Sequence, residues 1–114
     1  VFFSSFDTNA LKRAKRTAPD IPAGLLVKTA SLETIEIAVK LNLEYFHPSY
    51  KSMTPELLSS AHKENLKVNV WTVNLEKNIR EMMDMGVDGV ITDYPPRALE
   101  IVQENGEQER GVDQ

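Results

Sequence analysis

The run Val70-Trp71-Thr72-Val73-Asn74 is answered nineteen positions later (70 to 89) by Gly89-Val90-Ile91-Thr92-Asp93. Each is a short apolar segment that ends on a polar residue, and a helical pattern follows each. That is the strand, turn, helix grammar of a parallel α/β protein. In such folds the chemistry gathers at the carboxyl ends of the strands. Trp71, Asn74 and Asp93 are therefore the first candidate positions.

The same grammar runs outward through the chain. Val1 to Ser5 reads as a strand. Asp7 suits a helix cap, with Leu11, Ala14 and Ala18 on the apolar face, and Pro19 stops that helix by excluding its predecessor from helical geometry. Ala23 to Val27 is the next strand. Ser31 caps a helix carrying Leu32, Ile35, Ala38 and Val39, with Asn42 near its end. Leu43 to His47 is a short, mixed strand. Thr54 followed by Pro55 marks a helix start, with Leu57, Leu58 and Ala61 facing inward and Asn65 suited to a left-handed end. Lys67 to Val73 is the most strand-like segment. Asn74 is expected to cap a helix holding Ile79, Met82, Met83 and Met85, which Gly86 closes. Val87 to Thr92 is the fifth strand, and Leu99, Ile101 and Val102 mark a last helix. The five βα units repeat every 20 to 25 residues or so, as expected for a parallel sheet with right-handed crossovers.

Composition narrows the function classes. The 114 residues suit one domain, with 41% hydrophobic and 26% charged residues, as in ordinary globular chains. A formal charge of -4 argues against a nucleic-acid partner. There is no cysteine, hence no disulfide, thiolate nucleophile or cysteine metal site. No apolar run spans a bilayer, so a soluble chain is expected. The compartment stays open, with the cytoplasm favoured. Lys12, Arg13, Lys15 and Arg16 make one helix basic. That reads first as a solvated face and second as a patch for lipid headgroups. The chain opens on a strand-like run without an initiator methionine or a leader, and reads as a segment of something longer.

Neither nucleotide-binding glycine fingerprint is present. His62 lies mid-helix and reads as a surface or half-buried residue. His47 follows a strand and is placed to face a site mouth, but it lacks a nearby carboxylate partner in sequence. Strand alternation puts Trp71 on the face away from the helices with Asn69 and Val73, where an indole serves as core or as the wall of an apolar pocket. Asn74 suits a helix cap. Asp93 either caps the turn into the last helix or presents a carboxylate at the mouth, with the cap favoured by composition. Ser5 and Phe6 occupy the matching position after the first strand. The methionines are core filler.

Ser4-Ser5-Phe6, Leu11, Pro19, Trp71-Thr72-Val73-Asn74 and Gly86-Val87-Asp88-Gly89-Val90-Ile91-Thr92-Asp93-Tyr94-Pro95 together resemble the carboxyl-terminal half of the glycerophosphodiester phosphodiesterase family. The resemblance covers Val1 to about Val102. It implies an α/β fold that is part of a (β/α)8 TIM barrel of the phospholipase-C-like phosphodiesterase type, with about five βα units, roughly strands 4–8. It implies hydrolysis of glycerophosphodiesters to glycerol 3-phosphate and an alcohol. It also implies a Ca²⁺ or Mg²⁺ ion held by carboxylates and a histidine pair for acid and base work. A hard cation neutralises phosphate oxygens while imidazoles move the protons.

The family's His-Arg-Gly opening, its paired carboxylates, the following His-Asp and the Glu-x-Lys strand are not in this sequence. His47 and His62 do not match the family's catalytic histidines. No catalytic residue and no metal ligand is therefore assigned to this chain. What the resemblance carries over is a substrate wall, Phe6 and Trp71, with Ser5, Asn74 and Asp93 as lesser neighbours. Residues 1–105 are expected to be the carboxyl-terminal part of the barrel and 106–114 a disordered tail. A lone five-strand segment is expected to be inactive. It should also expose an apolar inner face with Phe6, Trp71 and Val73, and so self-associate or pair with a missing amino-terminal half. Two alternatives stand beside this reading. One is a non-catalytic structural or binding module derived from the barrel; the other is a small doubly wound α/β binding protein.

Overall fold

Three of the four helices begin where the sequence supplies an acceptor for the free N–H groups of the first turn. A computed structural model describes residues 2–94. It contains β1 (Phe3–Ser5), α1 (Thr8–Thr17), β2 (Ala23–Val27), α2 (Leu32–Lys40), β3 (Tyr45–Pro48), a 3₁₀ turn (Tyr50–Ser52), α3 (Pro55–Lys63), β4 (Lys67–Val70), α4 (Glu76–Met85) and β5 (Gly89–Val90). Asp7 accepts from the amides of Asn9 and Ala10 at the start of α1. Ser31 and Thr34 form a reciprocal capping box on α2. Thr54 accepts from the Leu57 amide, with Pro55 in the first turn of α3.

The fourth start departs from expectation. Leu75, not Asn74, is the residue before α4, and it makes no side-chain cap. The Asn74 amide is occupied elsewhere, as described below. The helix ends follow the sequence more closely. Gly86 takes φ +105° and donates to the carbonyls of Met82 and Met83, a left-handed close that suits glycine. Asn65 ends α3 at φ 62°, and Asn42 does the same after α2 at φ 57°.

The five strands pair in parallel in the order β1-β2-β3-β4-β5. Ser4 is level with Gly24, Gly24 with Tyr45, Tyr45 with Lys67, and Asn69 with Gly89. Sequential order with a right-handed helical crossover at every step puts α1 to α4 on one face of the sheet. That excludes the doubly wound alternative, which needs a reversal of strand order and helices on both faces. This is the architecture of a TIM-barrel segment: an α/β unit of a parallel barrel in which one face takes all the helices and the other becomes the interior.

The strands are shorter than the sequence suggests. Trp71 makes a single parallel bridge with Ser49 beyond β4. β3 begins at Tyr45 because the Leu43 amide still bonds the Ala38 carbonyl at the close of α2. β5 is Gly89–Val90, its start delayed because the Val87 amide closes α4 on Met82, and Ile91 continues the backbone bonding to Val70 and Val73. Between sheet and helices lie Leu11, Ile35, Ala38, Leu58, Ala61, Ile79 and Met82, packed on Ala23, Leu25, Phe46, Val68 and Val70. Val73 is also fully buried, so it does not belong to an open inner face as its alternation with Trp71 suggested. Among the described residues no helix is long and apolar enough to cross a membrane. The expected last helix and the tail at 106–114 lie outside the described residues.

Side-chain pairs tie the helix layer to the strand starts. Lys15 of α1 meets both carboxylate oxygens of Glu44 at 2.6 Å, and Glu44 also accepts from the Ala23 amide. Burial pushes the Glu44 carboxyl up, but Lys15 and the amides outweigh it and hold the group below its ordinary value. His62 bonds Asp88 at 2.8 Å, and Asp88 accepts from the Val68 amide at 2.7 Å, linking α3 to the entry of β5. His62 is thus a partly exposed structural residue, as its sequence position indicated.

Candidate functional site

The sheet face without helices collects the aromatic and polar side chains that the alternating pattern puts there. Phe6, one residue past β1, meets Trp71, one residue past β4, edge to face with ring centroids 6.0 Å apart. The Trp71 indole N–H donates to the His47 carbonyl at 2.7 Å, which fixes the ring over the end of β3. Trp71 also bonds through its backbone to Pro48 and Tyr50. Phe6 remains 55% exposed, so the pair forms an open apolar wall at the carboxyl ends of the strands.

One step toward the amino ends lies a polar layer. His47 is fully buried within β3, so it does not face the mouth as its position before a loop suggested. Its Nδ1 lies 2.9 Å from Ser4 Oγ, and its Nε2 lies 3.1 Å from Asn69 Nδ2. Phe2 packs on the ring edge-on at 5.4 Å and Tyr45 lies against it at 5.6 Å. Burial pulls the imidazole down to about 4, so His47 is neutral at physiological pH. The aromatic wall thus stands on a floor of Ser4, His47 and Asn69.

The rim is built by Asn74, Thr92 and Asp93. Asn74 Oδ1 accepts the Thr92 hydroxyl at 3.0 Å and the Asp93 amide at 2.9 Å, and Asn74 Nδ2 donates to the Asp93 carboxylate at 3.0 Å. Three hydrogen bonds across the strand ends explain why this side chain does not cap α4. Asp93 is exposed with one carboxylate oxygen held by Asn74, which leaves acceptor capacity toward solvent. The Ser5 hydroxyl oxygen accepts the Asp7 amide at 3.0 Å, in the turn into α1. The structure therefore brings Phe6 to Trp71 and Asn74 to Asp93, and engages Ser5 in its own turn.

Sequence reasoning missed the floor. Ser4 and Asn69 carry no motif signal of their own. The available clue was Gly24 inside a strand, since an interior strand glycine marks the close approach of another group.

A divalent cation needs several oxygen or imidazole ligands turned to one point. Among the described residues no group of three or more histidine, aspartate or glutamate side chains is so arranged. The described residues by themselves do not fit the cation that the family resemblance implies.

The profile of the glycerophosphoryl diester phosphodiesterase family matches residues 1–97. A glycerophosphodiester phosphodiesterase of Caldanaerobacter subterraneus subsp. tengcongensis is 33% identical over 106 residues, covering 93% of this chain and 44% of the relative. The chain thus spans less than half the length of that curated relative. An Oleispira antarctica phosphodiesterase, solved in complex with the product sn-glycerol-3-phosphate, superposes with a TM-score of 0.84 at 26% identity, over 90% of this chain and 41% of that one. A glycerophosphodiester phosphodiesterase from Parabacteroides distasonis gives a TM-score of 0.81 at 27% identity, over 92% and 44%. With the strand order and the aromatic wall in place, these matches assign the chain to the glycerophosphoryl diester phosphodiesterase family.

Proposed function

We propose that this chain is the carboxyl-terminal part, roughly strands 4–8, of a cytoplasmic glycerophosphodiester phosphodiesterase barrel. In that reading Phe6 and Trp71 wall the pocket for the glycerol or leaving-group end of the substrate. Asn74 and Asp93 shape its rim, and Ser5 supports it from the first turn. The phosphate, the Ca²⁺ or Mg²⁺ ion and the acid–base histidines belong to the other part of the barrel. The observation that carries this reading is the Phe6–Trp71 pair, standing open at the carboxyl ends of five parallel strands. The likeness to a phosphodiesterase that holds sn-glycerol-3-phosphate supports it. Closing a barrel of this type takes at least about 200 residues, more than the chain supplies.

The chain alone should show no turnover of glycerophosphocholine with Ca²⁺ or Mg²⁺. Turnover that a chelator abolishes would refute the division of labour between the two parts. A non-catalytic structural or binding module derived from the barrel is the second reading, and the same open Phe6–Trp71 wall would serve it as a contact surface. An upstream coding sequence with His-Arg-Gly and paired carboxylates decides for the enzyme.

A further inference from the structure

Ser4, His47 and Asn69 lie on β1, β3 and β4, so the imidazole has to cross β2 to reach Ser4. Gly24 makes the crossing possible. A Cβ at residue 24 would stand 2.9 Å from His47 Cε1, 3.1 Å from Nδ1 and 2.9 Å from Tyr45 Cβ. Gly89 gives Asn69 the same room on the other side, where a Cβ would meet Asn69 Oδ1 at 2.6 Å. Two strand glycines therefore clear a path for one continuous line of hydrogen bonds across the inner face.

The contacts fit one direction of hydrogen bonding, set by the amide nitrogen that Asn69 turns to the ring. The amide nitrogen of Asn69 is purely a donor, so the Nε2 atom facing it is bare and accepts. A neutral imidazole with a bare Nε2 carries its proton on Nδ1. That proton goes to Ser4 Oγ, 2.9 Å away. Having accepted, the Ser4 hydroxyl keeps its own hydrogen to give, and Ser4 is exposed on the inner face, one step below Phe6.

We propose that Asn69, His47 and Ser4 form a one-way hydrogen-bond relay that presents the Ser4 hydroxyl as an oriented donor to an acceptor oxygen of a polyol phosphate bound against the Phe6–Trp71 wall. Ser4 is then a substrate-binding residue, and His47 and Asn69 are positioning residues that act through it. This rests on the pocket reading given above. Each bond in such a chain polarises the next, so the terminal hydroxyl is a stronger donor than an isolated serine. Directional specification of this kind favours a ligand oxygen in a fixed place over bulk water.

Two measurements on the 114-residue chain test the proposal. Long-range ¹H–¹⁵N correlation of the histidine rings at neutral pH, with His62→Gln to assign the signals, should show His47 as the Nδ1–H tautomer. The Nε2–H tautomer would reverse the relay and overturn the proposal, leaving the pocket reading intact. In the second measurement, sn-glycerol 3-phosphate is titrated while following the fluorescence of Trp71, the sole tryptophan. Ser4→Ala should bind at least about fivefold more weakly, the effect of one lost hydrogen bond, and Ser4→Thr should restore binding. Equal affinity of wild type and Ser4→Ala would overturn the relay alone. No binding by wild type, either alone or mixed with a polypeptide supplying the remaining strands, would overturn the pocket reading and the relay with it. Glycerol and inorganic phosphate as separate titrants show which oxygen Ser4 meets, since the one whose binding weakens in Ser4→Ala supplies the acceptor.

Discussion

Among the described residues His47 is a buried base without a counter-charge. Its neighbours are Ser4, Asn69, Phe2 and Tyr45, and none of them carries a carboxylate. Its value falls from the ordinary 6.5 to about 4 because burial penalises the imidazolium. A base whose folded value lies below its unfolded value binds protons more readily when unfolded, so stability rises with pH between the two values. The contribution is fully present above about 6.5 and is lost as pH falls toward about 4. The loss amounts to about 3 kcal/mol at roughly 1.4 kcal/mol per unit. Urea unfolding at pH 7 and pH 4.5 should show most of this difference, and His47→Gln should flatten the slope between them. An equal slope in the variant would assign the pH dependence to other groups. Histidine at this site was visible in the sequence, but its burial was not. Its hydrogen-bond partners come from β1 and β4, forty-three and twenty-two positions away.

At the scale of elements, the local signals were the most legible. Asp7, Ser31 with Thr34, and Thr54 with Pro55 begin their helices where the cap chemistry says they should. Ser31→Ala should cost about 1 kcal/mol in thermal or urea unfolding, as cap removals do. Gly86→Ala should cost a similar amount, roughly 1 kcal/mol, because alanine must take φ +105° there. Asn74 was read wrongly because its cap chemistry and its cross-strand chemistry use the same amide. The choice depends on Thr92 and Asp93, which local sequence does not place beside it. Asn74→Ala should therefore loosen the β4–β5 mouth with little effect on α4. Amide exchange should quicken at Asp93, whose N–H loses its acceptor, and stay unchanged in the middle of α4. Strand lengths were overestimated for a related reason. The apolar run Val87 to Thr92 overstates β5 at its start, because helix closure on Met82 claims the Val87 amide.

For the molecule as a whole, the sheet order was readable from the regular alternation of strand and helix patterns, and the helix-free face followed from it. That face carries the exposed Phe2, Phe6 and Ile91. Among the described residues β1 and β5 each pair on one side, so each presents an unpaired edge. Open edges and apolar surface favour association. Light scattering over a concentration series should show dimers or larger species, and a monodisperse monomer at high concentration would contradict this. Addition of a polypeptide supplying the remaining strands should suppress that association by covering the same edges.

Gly24 and Gly89 also set a rule for how the interior can change. Each absent side chain is matched by a bulky neighbour on the next strand, so the packed quantity is the summed volume of a pair, 24 with 47 and 69 with 89. Gly24→Ala should be strongly destabilising beside His47 and much milder beside His47→Ala, although Tyr45 Cβ still limits the gain. A side chain at residue 89 therefore becomes tolerable once Asn69 has shrunk, whereas at residue 24 the Tyr45 Cβ keeps a limit whatever residue 47 becomes.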